Sequence, residues 1–149
     1  MNKLQAFLLI ALVCSCSASR GTITSEEQIT TPLRDDQTFL LTSVSSDKSY
    51  GYSASNPIEV GGVDKSQGPL NERRFLNALA GPMGETVSYF RAGSCCPIKS
   101  NADPYGFGSV MLDNYRVTWE GSSDTVSIYI NMYDYGKLEA PVGFTIKER

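Results

Sequence analysis

The chain has 149 residues, 41% of them hydrophobic, with 13 basic against 16 acidic side chains and a formal charge of −3. That is material for one core and too little for two ordinary domains. No long basic run is present, so the charge pattern argues against a nucleic-acid partner. The absence of histidine excludes Ser-His-Asp and Cys-His catalysis and His-containing zinc sites.

Residues 1–15 have the layout of an export signal: one positive charge at Lys3, an apolar stretch from Ala6 to Val13, then small residues. The stretch is shorter than the about 20 apolar residues a membrane-spanning helix needs. Val13-Cys14-Ser15-Cys16 resembles a lipobox, with a branched residue three positions before Cys16 and a small one directly before it. This marks Cys16 as the lipidation site and new N-terminus, with acyl chains such as palmitate holding the protein at a membrane, since stable anchoring takes more than one chain. Cys14 is the weaker acceptor because bulky Val13 precedes it. The alternative is ordinary cleavage near Ala18, which releases a soluble protein. Removal of Lys3 with the signal leaves 12 basic and 16 acidic residues, an acidic domain that gains nothing from anionic headgroups.

Residues 16–37 are rich in Ser, Thr, Glu and Asp and show neither helical nor strand periodicity. They read as a flexible tether with a reach of roughly 25 Å; the alternative is a first strand around Ile29. Residues 38–149 read as one globular domain. Phe39 to Val44 is a β-type run and Pro57 to Val60 a shorter one, closed by Gly61-Gly62. From Asn71 to Ala80 the spacing predicts a helix, with Phe75, Leu76 and Leu79 on one face, Asn71 as cap and Gly81-Pro82 as stop. Thr86 to Arg91 alternates with Val87 and Tyr89 on one face. Tyr115, Val117 and Trp119, then Val126, Ile128, Ile130 and Met132, alternate with polar or smaller partners around Gly121-Ser122-Ser123-Asp124, which predicts an antiparallel hairpin. A last strand spans Val142 to Lys147 after Pro141. One helix on a mainly antiparallel sheet is an α+β architecture.

Cys95 and Cys96 stand side by side before Pro97. Neighbouring α-carbons lie ~3.8 Å apart, below the usual ~4.4–6.8 Å of bridged cysteines, so a bond between them belongs with the labile, regulatory kind. Four readings stay open: a vicinal disulfide stiffening the turn, two packed thiols, a redox or metal role, and pairing between chains. Two sulfurs alone make an incomplete zinc site, and neither a metal nor a cofactor is expected. Arg73, Arg74 and Arg91 could receive an anion through their forked donors, or be paired with acids such as Glu72, Glu85 and Asp113. Gly61-Gly62 and Gly81-Pro82-Met83-Gly84 lack the lysine and spacing of a phosphate loop. Tyr105, Phe107, Tyr115, Trp119, Tyr129, Tyr133 and Tyr135 exceed what one small core can hide, so some are expected at the surface.

Several segments carry a family resemblance: Tyr50-Gly51-Tyr52, Asn56-Pro57-Ile58, Phe75-Leu76-Asn77-Ala78-Leu79-Ala80-Gly81-Pro82-Met83-Gly84-Glu85, Cys95-Cys96-Pro97, Leu112-Asp113, Trp119-Glu120-Gly121, Tyr129-Ile130-Asn131-Met132-Tyr133 and Pro141-Val142-Gly143-Phe144. Together they resemble a family of small bacterial lipoproteins, some of which bear the label 2-dehydro-3-deoxyphosphooctonate aldolase. The resemblance implies an envelope lipoprotein and brings no catalytic residues with it. Enzymes that handle that sugar acid phosphate are (β/α)₈ barrels of ~250 residues, and no lysine here lies in an apolar strand where a Schiff base would form. The leading expectation is an envelope lipoprotein with a structural or binding role toward an envelope protein or glycan. The alternatives are an aldolase or other catalyst using Cys95, Cys96, Arg91 or Asp113, and a thiol-based redox sensor.

Overall fold

The computed structural model describes residues 29–148. Two short strands come first, β1 (Leu33–Asp35) and β2 (Thr38–Phe39), followed by β3 (Ile58–Glu59) and a turn of 3₁₀ helix at Val63–Lys65. The α-helix α1 (Gly68–Asn77) leads directly into β4 (Leu79–Ala80). Then come the long strands β5 (Val87–Lys99) and β6 (Ser109–Trp119), β7 (Val126–Asn131) and finally β8 (Thr145–Ile146).

The main sheet has the order β3-β7-β6-β5 and is antiparallel except where β3 runs parallel to β7. Its centre is the hairpin that the alternation predicts, with Tyr115 opposite Ile128 and Val117 opposite Val126. Tyr115, Val117, Ile128 and Ile130 turn inward and join Phe75, Leu76 and Leu79 in the core. The α+β reading holds, and the architecture is not a (β/α)₈ barrel, because a single α-helix accompanies a mostly antiparallel sheet among the described residues.

The helix lies three residues nearer the N-terminus than its apolar spacing suggests. Pro69 occupies its first turn, a place where the missing N–H costs nothing. Asn71 is therefore no cap: its buried amide donates to the carbonyls of Val60 (3.3 Å) and Gly61 (3.2 Å) and ties the helix to the end of β3. At the other end Leu79 is buried as expected, but as a strand residue. The Lys147 amide donates to the Ala78 carbonyl at 2.8 Å, and β8 pairs with β4, Leu79 opposite Ile146. Backbone bonds from a distant segment win over helical continuation, and the final strand shrinks to Thr145–Ile146 in the process.

The expected tether boundary at Gln37 also moves. Residues 33–37 belong to a β-hairpin, with β1 paired to β2. Its turn is held by α1, where Arg74 Nε donates to the Asp36 carbonyl (2.9 Å) and Asn77 Nδ2 to the Gln37 carbonyl (2.8 Å). These partners lie about forty positions away, so periodicity within the segment carries no trace of them. The run from Phe39 to Val44 is strand only at its start, although Phe39 and Leu41 are buried and Val44 bridges to Ala140.

Strand β5 extends far past Arg91 because two bulges absorb the residues that would have ended it. The register slips once between Arg91 and Gly93 and again between Cys95 and Pro97. Each slip leaves one residue, Ala92 and then Cys96, without a partner on β6. β5 is the sheet's edge, so Pro97 forfeits no ladder bond that a neighbour would need.

Phe75 is fully enclosed, and Phe75→Ala is expected to lower the unfolding free energy by roughly 3–5 kcal/mol. Phe90, on the outer side of β5, is exposed; Phe90→Ala should stay within about 0.5 kcal/mol of the parent. Urea titration of both variants measures the contrast.

Candidate functional site

The first bulge of β5 decides which side chains meet. In an unbroken strand Arg91 and Ser94 have opposite parity and point to opposite faces. With Ala92 taken out of register, Arg91 lies opposite Tyr115 and Ser94 opposite Asp113, and both reach the inner face. Arg91 Nη2 donates to Asp113 Oδ1 (2.7 Å) and to Ser94 Oγ (2.6 Å), and its Nε to Asp113 Oδ2. Ser94 Oγ also donates to Asp113 Oδ1 at 2.9 Å. This is the two-pronged arginine–carboxylate geometry that gives the strongest ion pairs.

Behind Asp113 the helix contributes Glu72. Its side chain is completely buried, and Tyr115 donates its hydroxyl proton to Glu72 Oε2 at 2.9 Å. Burial pushes the Glu72 carboxyl up to about 8, and the neighbouring Asp113 charge pushes the same way, against the Tyr115 bond. Burial also raises the Tyr115 phenol, followed by the charge of Glu72. The Arg91 guanidinium is held above its ordinary range chiefly by its hydrogen bonds to Asp113. Buried Glu72 Oε1 has no donor facing it. A proton on Oε1 turns it into a donor, with Asp113 within hydrogen-bonding reach. Near neutral pH Glu72 is thus a neutral acid set beside the Asp113–Arg91 ion pair.

A carboxyl that titrates near neutrality can serve acid–base chemistry. Here Glu72, Asp113 and Tyr115 are all buried, and only Arg91, with 47% of its side chain accessible, and Ser94 face solvent. The clefts at Ile29, Glu59 and Tyr135, at Tyr50 and Pro57, and at Met83 and Lys147 are lined by other residues. The arrangement joins helix to sheet more directly than it offers a reaction site.

Just beyond Ser94, Cys95 and Cys96 are joined as a vicinal disulfide with α-carbons 3.7 Å apart. The bond occupies the second bulge, where Cys96 takes a positive φ of 56°. Cys95 lies opposite buried Leu112. The arginines do not form one anion cradle. Arg74 is spent on Asp36, Gln67 and Asn71 and Arg91 on Asp113 and Ser94, while Arg73 is exposed with Tyr89 among the groups that feel its charge. No group of three or more potential metal ligands occurs among the described residues. Cys16 lies outside them. Among the aromatics, Trp119 packs edge-on against Phe144 with centroids 5.6 Å apart and Tyr135 donates to Asp64 at 2.6 Å, whereas Tyr105 and Phe107 are exposed.

The sequence offers Glu72 as an acid that could pair with an arginine and Tyr115 as a hairpin aromatic, but not their meeting, although a signal for it exists. Glu72 stands three and four positions before Phe75 and Leu76, on the apolar face of the helix. An acid on that face needs a buried partner, and Tyr115 belongs to the inward half of the hairpin. The chain as a whole matches no family model, no curated protein and no solved structure.

The folded state keeps a proton on Glu72 to about pH 8, whereas the unfolded chain loses it near 4.5. Between those values the unfolded state binds fewer protons, so this group's contribution to stability falls as pH rises. Glu72→Gln keeps the neutral shape and removes that fall. The difference in urea midpoint, variant minus parent, should grow from pH 4.5 to pH 8 and level off above; a difference that stays flat contradicts the protonated Glu72.

Proposed function

We propose that this protein is an exported bacterial lipoprotein, held at an envelope membrane by acylated Cys16, whose α+β domain acts in a structural or binding role. The single observation that carries the reading is the N-terminal segment, with Lys3, the apolar run Ala6 to Val13 and the lipobox-like Val13-Cys14-Ser15-Cys16. The enclosure of Glu72, Asp113 and Tyr115 supports a non-catalytic role, because a substrate would have to open the core to reach their oxygens. The partners that suit this setting are the membrane itself and an envelope protein or glycan. Aldolase chemistry of the barrel kind is not proposed, because the fold is a different one.

The test is fractionation of cells that make the full chain or its variants. The parent and Cys14→Ser are expected with the membranes and labelled by radioactive palmitate; Cys16→Ser is expected to lose the label and the membrane association. A Cys16→Ser chain that still carries the label overturns the reading.

Redox sensing is a second reading, favoured by one observation, the Cys95–Cys96 bond. A protein dithiol would reduce it, breaking the S–S bond, placing one proton on each sulfur and leaving the donor as its own disulfide. Alkylation and intact-mass measurement of protein taken directly from the envelope should show a mixture of bonded and reduced pairs. A pair always found fully reduced contradicts this reading, since it leaves nothing to sense.

A further inference from the structure

The β5–β6 ribbon runs past the end of β7, which pairs with β6 only up to Asp113, and ends in a projecting loop, residues 100–108. At its tip Tyr105 and Phe107 are 76% and 81% exposed, with ring centroids 6.4 Å apart. The loop is built to hold them out. Asp103 accepts from the amides of Tyr105 (2.9 Å) and Gly108 (2.8 Å). Ser100 donates to Asp134 (2.8 Å), which also accepts from Asn131 (2.7 Å) at the end of β7. Two large rings on a braced loop give up little conformational freedom when they are covered. Tyrosine and phenylalanine together suit the boundary between headgroups and acyl chains, one with a polar tip and one without.

What covers them follows from where the chain leaves the domain. Ile29, the first described residue, lines a cleft with Glu59 and Tyr135. Glu59 and Tyr135 also line the cleft at the base of the aromatic loop, with Ser100 and Gly108. Ile29 and the base of the aromatic loop therefore lie around the same two residues, Glu59 and Tyr135. Twelve residues lie between Cys16 and Ile29, a span of at most about 45 Å from one to the other. From these placements we infer that the domain docks on the bilayer, with Tyr105 and Phe107 dipping into the interface beside its own lipid anchor. The inference rests on the lipoprotein reading, since without acylation nothing concentrates the loop at a membrane. Zwitterionic lipid suffices for this contact, because two aromatic rings make it and the chain is acidic overall.

The experiment uses the acylated full chain in phosphatidylcholine vesicles and the Cys16→Ser chain free in buffer, with hydroxyl-radical labelling read by mass spectrometry. Met83, 88% exposed, is the internal control. It lies two residues from Gly81, which packs beside Trp119, at the far end of eleven-residue β6 and so ~33 Å along the strand. Tyr105 and Phe107 should label several-fold more slowly on vesicles than in buffer while Met83 is unchanged. Phe107→Glu, which alters no buried contact, should return Tyr105 to its rate in buffer. Docking is overturned if both rings label at the buffer rate on vesicles, or if Met83 is protected equally. It is also overturned if the rings are protected in the free chain in proportion to protein concentration, which would assign the surface to a second copy. The intact mass of the reconstituted chain separates the two claims: acyl chains present with unprotected rings refute docking alone, and acyl chains absent refute both.

Discussion

A glutamate on the apolar face of α1 has to find polar company inside the core, and much of the described structure is arranged around that need. Glu72 meets Tyr115 from the centre of the sheet, with Asp113 alongside, itself neutralised by Arg91 from the edge strand. One chain of contacts thus runs from the helix through β6 to β5. Isolated, each buried charge would cost several kcal/mol. Linked, with a proton on Glu72, they leave one net charge pair whose positive partner reaches water.

The same contacts explain why the edge strand is bulged. Without the slip at Ala92, Arg91 and Ser94 could not both face Asp113. The second slip houses the cysteine pair, and from there the ribbon continues beyond the main sheet to its aromatic tip. Bulges that re-aim side chains near polar sites are usual in edge strands. Here one carries the ionic link and the other the vicinal disulfide. Redox chemistry at Cys95 and Cys96 would therefore act on the strand that holds the Arg91 pair and leads into the exposed aromatic loop.

Much of the fold was legible in the sequence, and the limits have physical causes. Period-two alternation across Tyr115 to Trp119 and Val126 to Ile130 gave the central hairpin with its inward face, because those strands are half-buried and each residue's side is set locally. The helix was legible in its apolar residues and misplaced at both ends, since Pro69 starts it and long-range pairing of Leu79–Ala80 with Thr145–Ile146 stops it. The hairpin at 33–39 left no local pattern, because Arg74 and Asn77 supply its partners. At the site, Arg91, Asp113, Cys95 and Cys96 stood out by residue type. Their grouping with Glu72 depends on a one-residue slip that composition does not reveal.

Location and chemistry meet at Cys16. An acylated Cys16 would place the domain at a membrane, give the aromatic loop a surface to rest on, and leave Cys95 and Cys96 with only each other or a second molecule to bond. An unmodified Cys16 would free a third thiol and remove the anchor. Tandem mass spectrometry of the N-terminal peptide from the mature protein tests this most directly. An envelope lipoprotein gives a peptide that begins at Cys16 and carries acyl chains on that residue; an unacylated peptide beginning after Ala18 contradicts it.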